Sequence, residues 1–113
     1  MKTIKKNNNI PKKIHQVFFD VGLGKGLKDF PIYEKSHNQM KDFCRKNNFK
    51  YNLWTKPKII KLIKKYYGKK ELDYYNKLPT EWYRMELSRY YVVAIYGGFY
   101  LDLDIFLNYK KYK

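Results

Sequence analysis

The stretch Tyr96–Ile105 reads YGGFYLDLDI and sets two carboxylates, Asp102 and Asp104, one residue apart in a chain dominated by lysine. On an extended strand, side chains at i and i+2 face the same side, about 6–7 Å apart along the chain. Two carboxylates that close repel each other unless a cation lies beside them. Hard divalent cations such as Mg²⁺ and Mn²⁺ take oxygen ligands, and they commonly combine one or two protein carboxylates with substrate phosphates. The pair therefore reads either as a metal site that ties the protein to a diphosphate or as a solvated strand end. D-x-D alone recurs by chance, so its surroundings must decide. Upstream, Glu86 and Arg89 are three residues apart on one face of a predicted helix. A surface ion pair of this kind contributes little to stability. The helix turns apolar from Tyr90 onward, however, which sets both charges at the mouth of a buried segment.

Several elements must position these groups. Ile14–Phe19 (IHQVFF) fits a buried strand. Asp20–Pro31 is rich in glycine and turn formers and reads as a loop; its GLGKG run lacks the spacing of the phosphate-binding loops. A helix is expected from Tyr33 to Asn47, with Ser36 and Gln39 as a capping box and Met40, Phe43 and Cys44 as its apolar stripe. Phe49–Trp54 alternates as a short strand. Thr55 and Pro57 open a second helix, with Ile59, Ile60, Ile63, Tyr66 and Tyr67 on one face and Gly68 at its end. Pro79 and Thr80 open a third helix, which Gly97 stops. Phe99–Leu107 then alternates as a strand, with Leu101, Leu103 and Ile105 on one face and both aspartates on the other. The order strand, helix, strand, helix, helix, strand is an α/β pattern with a mostly parallel sheet. In open α/β sheets ligands bind beyond the carboxyl ends of the strands, where the aspartates lie.

Composition bounds the alternatives. The 113 residues allow one modest domain, and 44% hydrophobic with 19% aromatic residues is enough for a core. The net charge of +15 favours anionic ligands, from nucleotide phosphates to nucleic acid and acidic membranes. The same excess of Lys, Asn, Ile and Tyr is what AT-rich coding yields, so charge alone assigns no partner. The single cysteine, Cys44, excludes an intramolecular disulfide and a multi-cysteine zinc site, and its helical spacing from Met40 makes it a core residue. No apolar segment follows the basic start, and no run approaches the ~20 residues of a membrane span, so a soluble, cytoplasmic protein is expected. His15 lies in an apolar strand and reads as a hydrogen-bonded core residue, while His37 has no partner motif. Two scattered histidines support no nucleophilic triad.

The run from Glu86 through Arg89 and Tyr90 to Gly97-Gly98, Tyr100, Asp102 and Asp104 resembles the DXD region of sugar-nucleotide glycosyltransferases of family 32, a region shared by the large clostridial glucosylating toxins. The opening IPKKIHQVFF, Ile10–Phe19, is similar to that family's first strand, IPKIIHQ followed by an apolar residue and Trp; KYNLW, Lys50–Trp54, resembles its second. The resemblance covers residues 10–107 and implies the Rossmann-like N-terminal half of a GT-A fold. On that reading residues 1–9 form a basic flexible tail, and residues 10–113 form an incomplete nucleotide-sugar-binding domain that stops after the DXD strand. Carried over by position, Asp104 is the direct metal ligand, and Asp102 contacts the ribose and assists the metal. Arg89 and Glu86 contact the donor sugar, Tyr100 lines the nucleotide pocket, and Phe18 stacks on the base. The chain departs from the family in having Glu86 where Asp is usual and Phe18 where Trp is usual.

The implied activity is transfer of a hexose, with retention of configuration, from a UDP- or GDP-sugar to a glycan or protein acceptor, using Mn²⁺ or Mg²⁺. Two other functions fit the same residues. A catalytically inactive remnant would bind a partner chain, or itself, through apolar surface left exposed on the Glu81–Tyr96 helix. A nucleic-acid-binding module would use the 13 tyrosines and many lysines, although no RNA-recognition or zinc pattern accompanies them.

Overall fold

The structure is a computed structural model and describes residues 10–19 and 26–104. The expected tail 1–9, residues 20–25 of the glycine-rich loop and the expected strand beyond Asp104 lie outside the described residues. The elements in chain order are β1 (Lys13–Val17), a short 3₁₀ turn (Leu27–Asp29), α1 (Pro31–Asn47), β2 (Lys50–Trp54), α2 (Lys56–Tyr66), α3 (Lys69–Asn76), α4 (Glu81–Tyr96) and β3 (Phe99–Tyr100).

The three strands form one parallel sheet in the order β2-β1-β3. β1 is central, and Ile14 to Val17 are all buried, as a strand covered on both faces must be. Alternation sorts its side chains. Gln16 reaches Ser36 of α1 on one face, while His15 meets Trp54 and Tyr96 on the other. Val17 joins Ile59, Leu62 and Ile63 of α2, Tyr75 of α3 and Tyr91 and Val92 of α4 in the main core cluster. The result is a small α/β layer structure with a wholly parallel sheet, consistent with a Rossmann-like half-domain.

Local chemistry sets the element ends. Pro31 begins α1, since its fixed φ suits the first helical turn and its missing N–H costs nothing there. Ser36 and Gln39 therefore do not cap this helix; Ser36 is buried a turn further in. Asn48 closes α1 with φ +63°, a conformation asparagine tolerates. Thr80 caps α4 by accepting from the Tyr83 N–H at 3.4 Å. α2 buries Ile59, Leu62 and Ile63, whereas Tyr66 and Tyr67 remain about half exposed, so the expected apolar face is rotated toward Leu62. α3 has no counterpart in the sequence expectation. α4 carries apolar residues on most sides, and Trp82, Tyr83 and Tyr90 are exposed.

The turn Gly97-Gly98 feeds α4 into β3 with φ of +70° and +91°. A Cβ at Gly98 would lie 2.5 Å from the Lys13 carbonyl oxygen, so the tight turn seats β3 directly against β1. Gly98→Ala is expected to destabilise the fold by about 1–3 kcal/mol through positive φ and backbone collision. Urea denaturation checks this, and an unchanged midpoint would contradict it.

β3 is shorter than the expected strand. Leu101 still donates its N–H to the His15 carbonyl at 3.0 Å, but Leu103 and Asp104 form a turn. Asp102 and Asp104 thus project from the loop that leaves the strand, and the alternation of an extended strand does not place them.

Candidate functional site

In the sheet order β2-β1-β3, the chain passes from β1 to one neighbour and later returns to β1's other side. The crevice between β1 and β3 is therefore a topological switch point, where loops diverge at the strands' carboxyl ends and leave room for a ligand. An open pocket of about 430 Å³ lies there. Val17, Phe18 and Phe19 at the end of β1 line it, as do Tyr100, Asp102, Leu103 and Asp104 at the end of β3. Met85, Glu86 and Arg89 of α4 form a third wall. All six residues expected at the site (Phe18, Glu86, Arg89, Tyr100, Asp102 and Asp104) line this one pocket.

Arg89 is the hub of the polar side. Its Nη2 donates to Glu86 Oε2 at 2.6 Å, one helical turn back, and its Nη1 lies 3.7 Å from Asp102 Oδ1. The guanidinium also stands 5.6 Å from the Tyr100 ring centroid, within cation–π range. Desolvation works against the charge, but Glu86 and then Asp102 outweigh it and hold the Arg89 pKa above its ordinary value. Burial pushes the Tyr100 phenol up, and the Asp102 carboxylate beside it adds to the shift. Tyr100 therefore stays protonated at neutral pH and presents its hydroxyl to Asp102. An exposed ion pair such as Arg89–Glu86 contributes only about 0–1 kcal/mol to stability; what the pair does here is aim the guanidinium into the pocket.

The apolar side is aromatic. Phe18 is buried at the pocket wall and meets Phe30 edge-on at 5.7 Å between centroids; Phe30 in turn stacks with Tyr33 at 5.9 Å. Trp82 lines the pocket from the first turn of α4 and is 68% exposed. Trp82, Phe30, Tyr33 and Met85 did not figure among the expected site residues. The signal for Trp82 was in the sequence: positions 82, 86 and 89 recur at helical spacing, so the tryptophan shares a face with Glu86 and Arg89.

The donor set suits a hard cation. Three carboxylates line the pocket; Glu86 is tied to Arg89, which leaves half-exposed Asp102 and exposed Asp104, and no group of three or more His, Cys, Asp or Glu residues among those described is arranged to hold a metal. Two protein oxygens leave most coordination positions for water and phosphate, which is how Mg²⁺-type sites are usually built.

His15 supports the site without lining it. Trp54 Nε1–H donates to its Nδ1 at 3.1 Å, so Nε2 carries the proton and donates to the Gly97 carbonyl at 2.9 Å. The ring is the hydrogen-bonded core residue that its strand context implied. Burial lowers its pKa from the ordinary 6.5, more than the Gly97 bond raises it. A depressed folded-state pKa means that the stabilisation from neutral His15 is complete above about pH 6.5 and declines as pH falls from there through the folded value. NMR titration of the ring is expected to give a pKa under 6.5, and a value above it would contradict this arrangement. His37 also has a partner: its Nδ1 lies 2.7 Å from the Tyr51 hydroxyl.

Residues 31–112 match the family described as the glycosyltransferase sugar-binding region containing the DXD motif. The chain is 28% identical over 98 residues to an uncharacterized glycosyltransferase of Acanthamoeba polyphaga mimivirus, covering 85% of this chain and 36% of that protein. It is 30% identical over 101 residues to inositol phosphoceramide mannosyltransferase 1 of Schizosaccharomyces pombe, covering 85% and 28%. It is 34% identical over 96 residues to a mannosyl phosphorylinositol ceramide synthase of Saccharomyces cerevisiae, covering 84% and 22%. The chain thus spans roughly a quarter to a third of the length of these relatives. No solved structure matches it significantly.

Proposed function

Because the chain belongs to the family of glycosyltransferase sugar-binding regions that contain a DXD motif, we propose that its pocket binds a nucleoside-diphosphate hexose together with a divalent cation, as the donor site of a sugar transfer. The observation that carries this reading is the convergence of Phe18, Glu86, Arg89, Tyr100, Asp102 and Asp104, up to 86 positions apart in sequence, on one pocket at the switch point of the sheet. The pocket's two sides match the two halves of such a donor: an aromatic wall for the base, and a charged rim for diphosphate and sugar.

In this reading Phe18 stacks on the base, and Tyr100 packs along the nucleoside while keeping its proton. Asp102 accepts from the ribose hydroxyls, and Asp102 and Asp104 hold Mn²⁺ or Mg²⁺. The bound cation supplies charge neutralisation for the diphosphate leaving group. Glu86 and Asp102 orient Arg89 so that its free donor edge meets the sugar and the bridging oxygens. Transfer breaks the bond between the anomeric carbon and the diphosphate oxygen, releasing the nucleoside diphosphate, and forms a bond to an acceptor hydroxyl oxygen, whose proton passes to the departing diphosphate or to water. The two fungal relatives are named for mannosyl transfer, so a mannose donor is the first hexose to test. The acceptor panel takes glycan and protein hydroxyls, and adds the inositol phosphoceramide that one relative is named for.

Adding UDP- or GDP-sugar with diamagnetic Mg²⁺ is expected to shift the amide resonances of Arg89, Tyr100 and Asp102, while α2 residues such as Lys61 stay put. No shift at the pocket with any sugar nucleotide would overturn the assignment. No helix among the described residues is long and apolar enough to cross a membrane.

A further inference from the structure

Behind the carboxylates, on the α1 side of the sheet, lies a chain of buried and half-buried polar groups that the donor site does not use. Gln16, in the middle of β1, is fully buried. Its side-chain nitrogen approaches two acceptors: the main-chain carbonyl of Asp102 at 3.4 Å and the Ser36 hydroxyl at 3.4 Å. Its side-chain oxygen accepts from the Tyr51 hydroxyl at 2.7 Å, and the Tyr51 oxygen lies 2.7 Å from His37 Nδ1.

The directions of these bonds are determined. A carbonyl can only accept, so Asp102 requires the Gln16 NH₂ group to face it. The amide oxygen must then face Tyr51, which makes Tyr51 the donor in that bond. Tyr51 has spent its proton, so its oxygen accepts from His37 Nδ1–H. The order of donation is His37 to Tyr51 to Gln16 to the main chain of Asp102, with Ser36 taking the second amide hydrogen. A flipped Gln16 would set two carbonyl oxygens against each other at Asp102, so Tyr51 and His37 lock the amide in its working orientation.

We propose that Gln16 is a positioning residue that fixes the Asp102–Asp104 turn from behind, with Tyr51 and His37 setting its orientation. The regular ladder between β1 and β3 ends at Leu101, whose N–H bonds to His15. From there the turn runs into the pocket, and the Gln16 amide extends the grip of β1 one residue further, to the residue whose side chain enters the site. Outer partners of this kind commonly change metal affinity by about 10–100-fold when removed. The inference rests on the carboxylates' proposed role as metal ligands, but the hydrogen-bond chain can be tested without metal.

Two variants and one control separate the outcomes. Gln16→Leu keeps the volume and removes every polar contact; Tyr51→Phe keeps the ring and removes only the donor that orients the amide. Ser36→Ala removes the second acceptor of the Gln16 amide, on α1, and leaves the Tyr51 and Asp102 bonds in place. Each is examined by ¹⁵N relaxation at Leu103 and Asp104, by the Asp102 carbonyl ¹³C shift, and by Mn²⁺ affinity from electron paramagnetic resonance on the folded fraction. Gln16→Leu and Tyr51→Phe are expected to move the Asp102 shift, mobilise the turn and weaken Mn²⁺ binding, Gln16→Leu by about tenfold, while Ser36→Ala stays within about twofold of the parent. If Gln16→Leu does not fold, Tyr51→Phe carries the test. An unchanged Asp102 shift and an ordered turn in the folded variants would overturn the proposal. If the parent binds no Mn²⁺, the donor-site reading falls, and the two NMR readouts alone decide whether Gln16 positions the turn.

Discussion

Asp104→Asn is expected to abolish metal-dependent sugar-nucleotide binding while leaving the fold intact. Asp104 is exposed at the pocket rim, one residue beyond buried Leu103, which anchors the turn in the core. The substitution keeps the shape of the side chain and removes only its charge, and exposed positions of this kind usually change stability by no more than about 0.5 kcal/mol. Loss of a charge-assisted contact of about 3 kcal/mol corresponds to roughly a 150-fold fall in affinity. Asp102→Asn is a less clean experiment, because that carboxylate also orients Arg89 and faces Tyr100. Calorimetry with and without Mn²⁺, beside a urea titration, reads both quantities. Parental affinity in Asp104→Asn would remove this residue from the site.

Phe18→Ala is expected to weaken nucleotide binding by about 1–3 kcal/mol, the range for base–aromatic stacking, or roughly 5–150-fold. Phe18 follows β1 directly, and its N–H donates to the Trp54 carbonyl at 2.8 Å, which pins the backbone. The ring is buried against Phe30 and also lines the pocket, so truncation carries a second cost. Large-to-small changes of a buried phenylalanine cost about 3–5 kcal/mol of stability. The two effects separate when affinity is measured on the folded fraction and stability by denaturation. Phe18→Trp enlarges the stacking face and is expected to retain binding. A folded Phe18→Ala protein that binds nucleotide as the parent does would make Phe18 a core residue only.

The sequence was most informative where local chemistry decides structure. Thr80 and the Gly97-Gly98 pair bounded α4 correctly, because a capping hydroxyl and positive φ are properties of those residues themselves. The parallel sheet followed from the alternation of strands and helices. Phe18 and Asp104 line one pocket only through sheet order, which neither local segment encodes. α3 was not legible: KKELDYYN offers only Leu72 and Tyr75 as apolar contacts, too few for a helical period to show. α1 begins at Pro31, two residues ahead of the expected Tyr33, and Ser36 and Gln39 imitate a capping box inside it, whereas Ser36 in fact serves Gln16 on the neighbouring strand. β3 is shorter than the alternation of Leu101 and Leu103 implies, because only Leu103 is buried and the chain turns there. The link from His37 through Tyr51 and Gln16 to Asp102 joins four segments by side-chain hydrogen bonds, and no local pattern encodes it.

The central claim is that one pocket takes a sugar nucleotide and a divalent cation together. Isothermal titration of the chain with a panel of UDP- and GDP-sugars, with and without Mn²⁺, tests it most directly. The expected result is binding of at least one donor that requires Mn²⁺ and disappears in Asp104→Asn. Binding of no donor, or binding that is equally strong without metal and in the mutant, would contradict it.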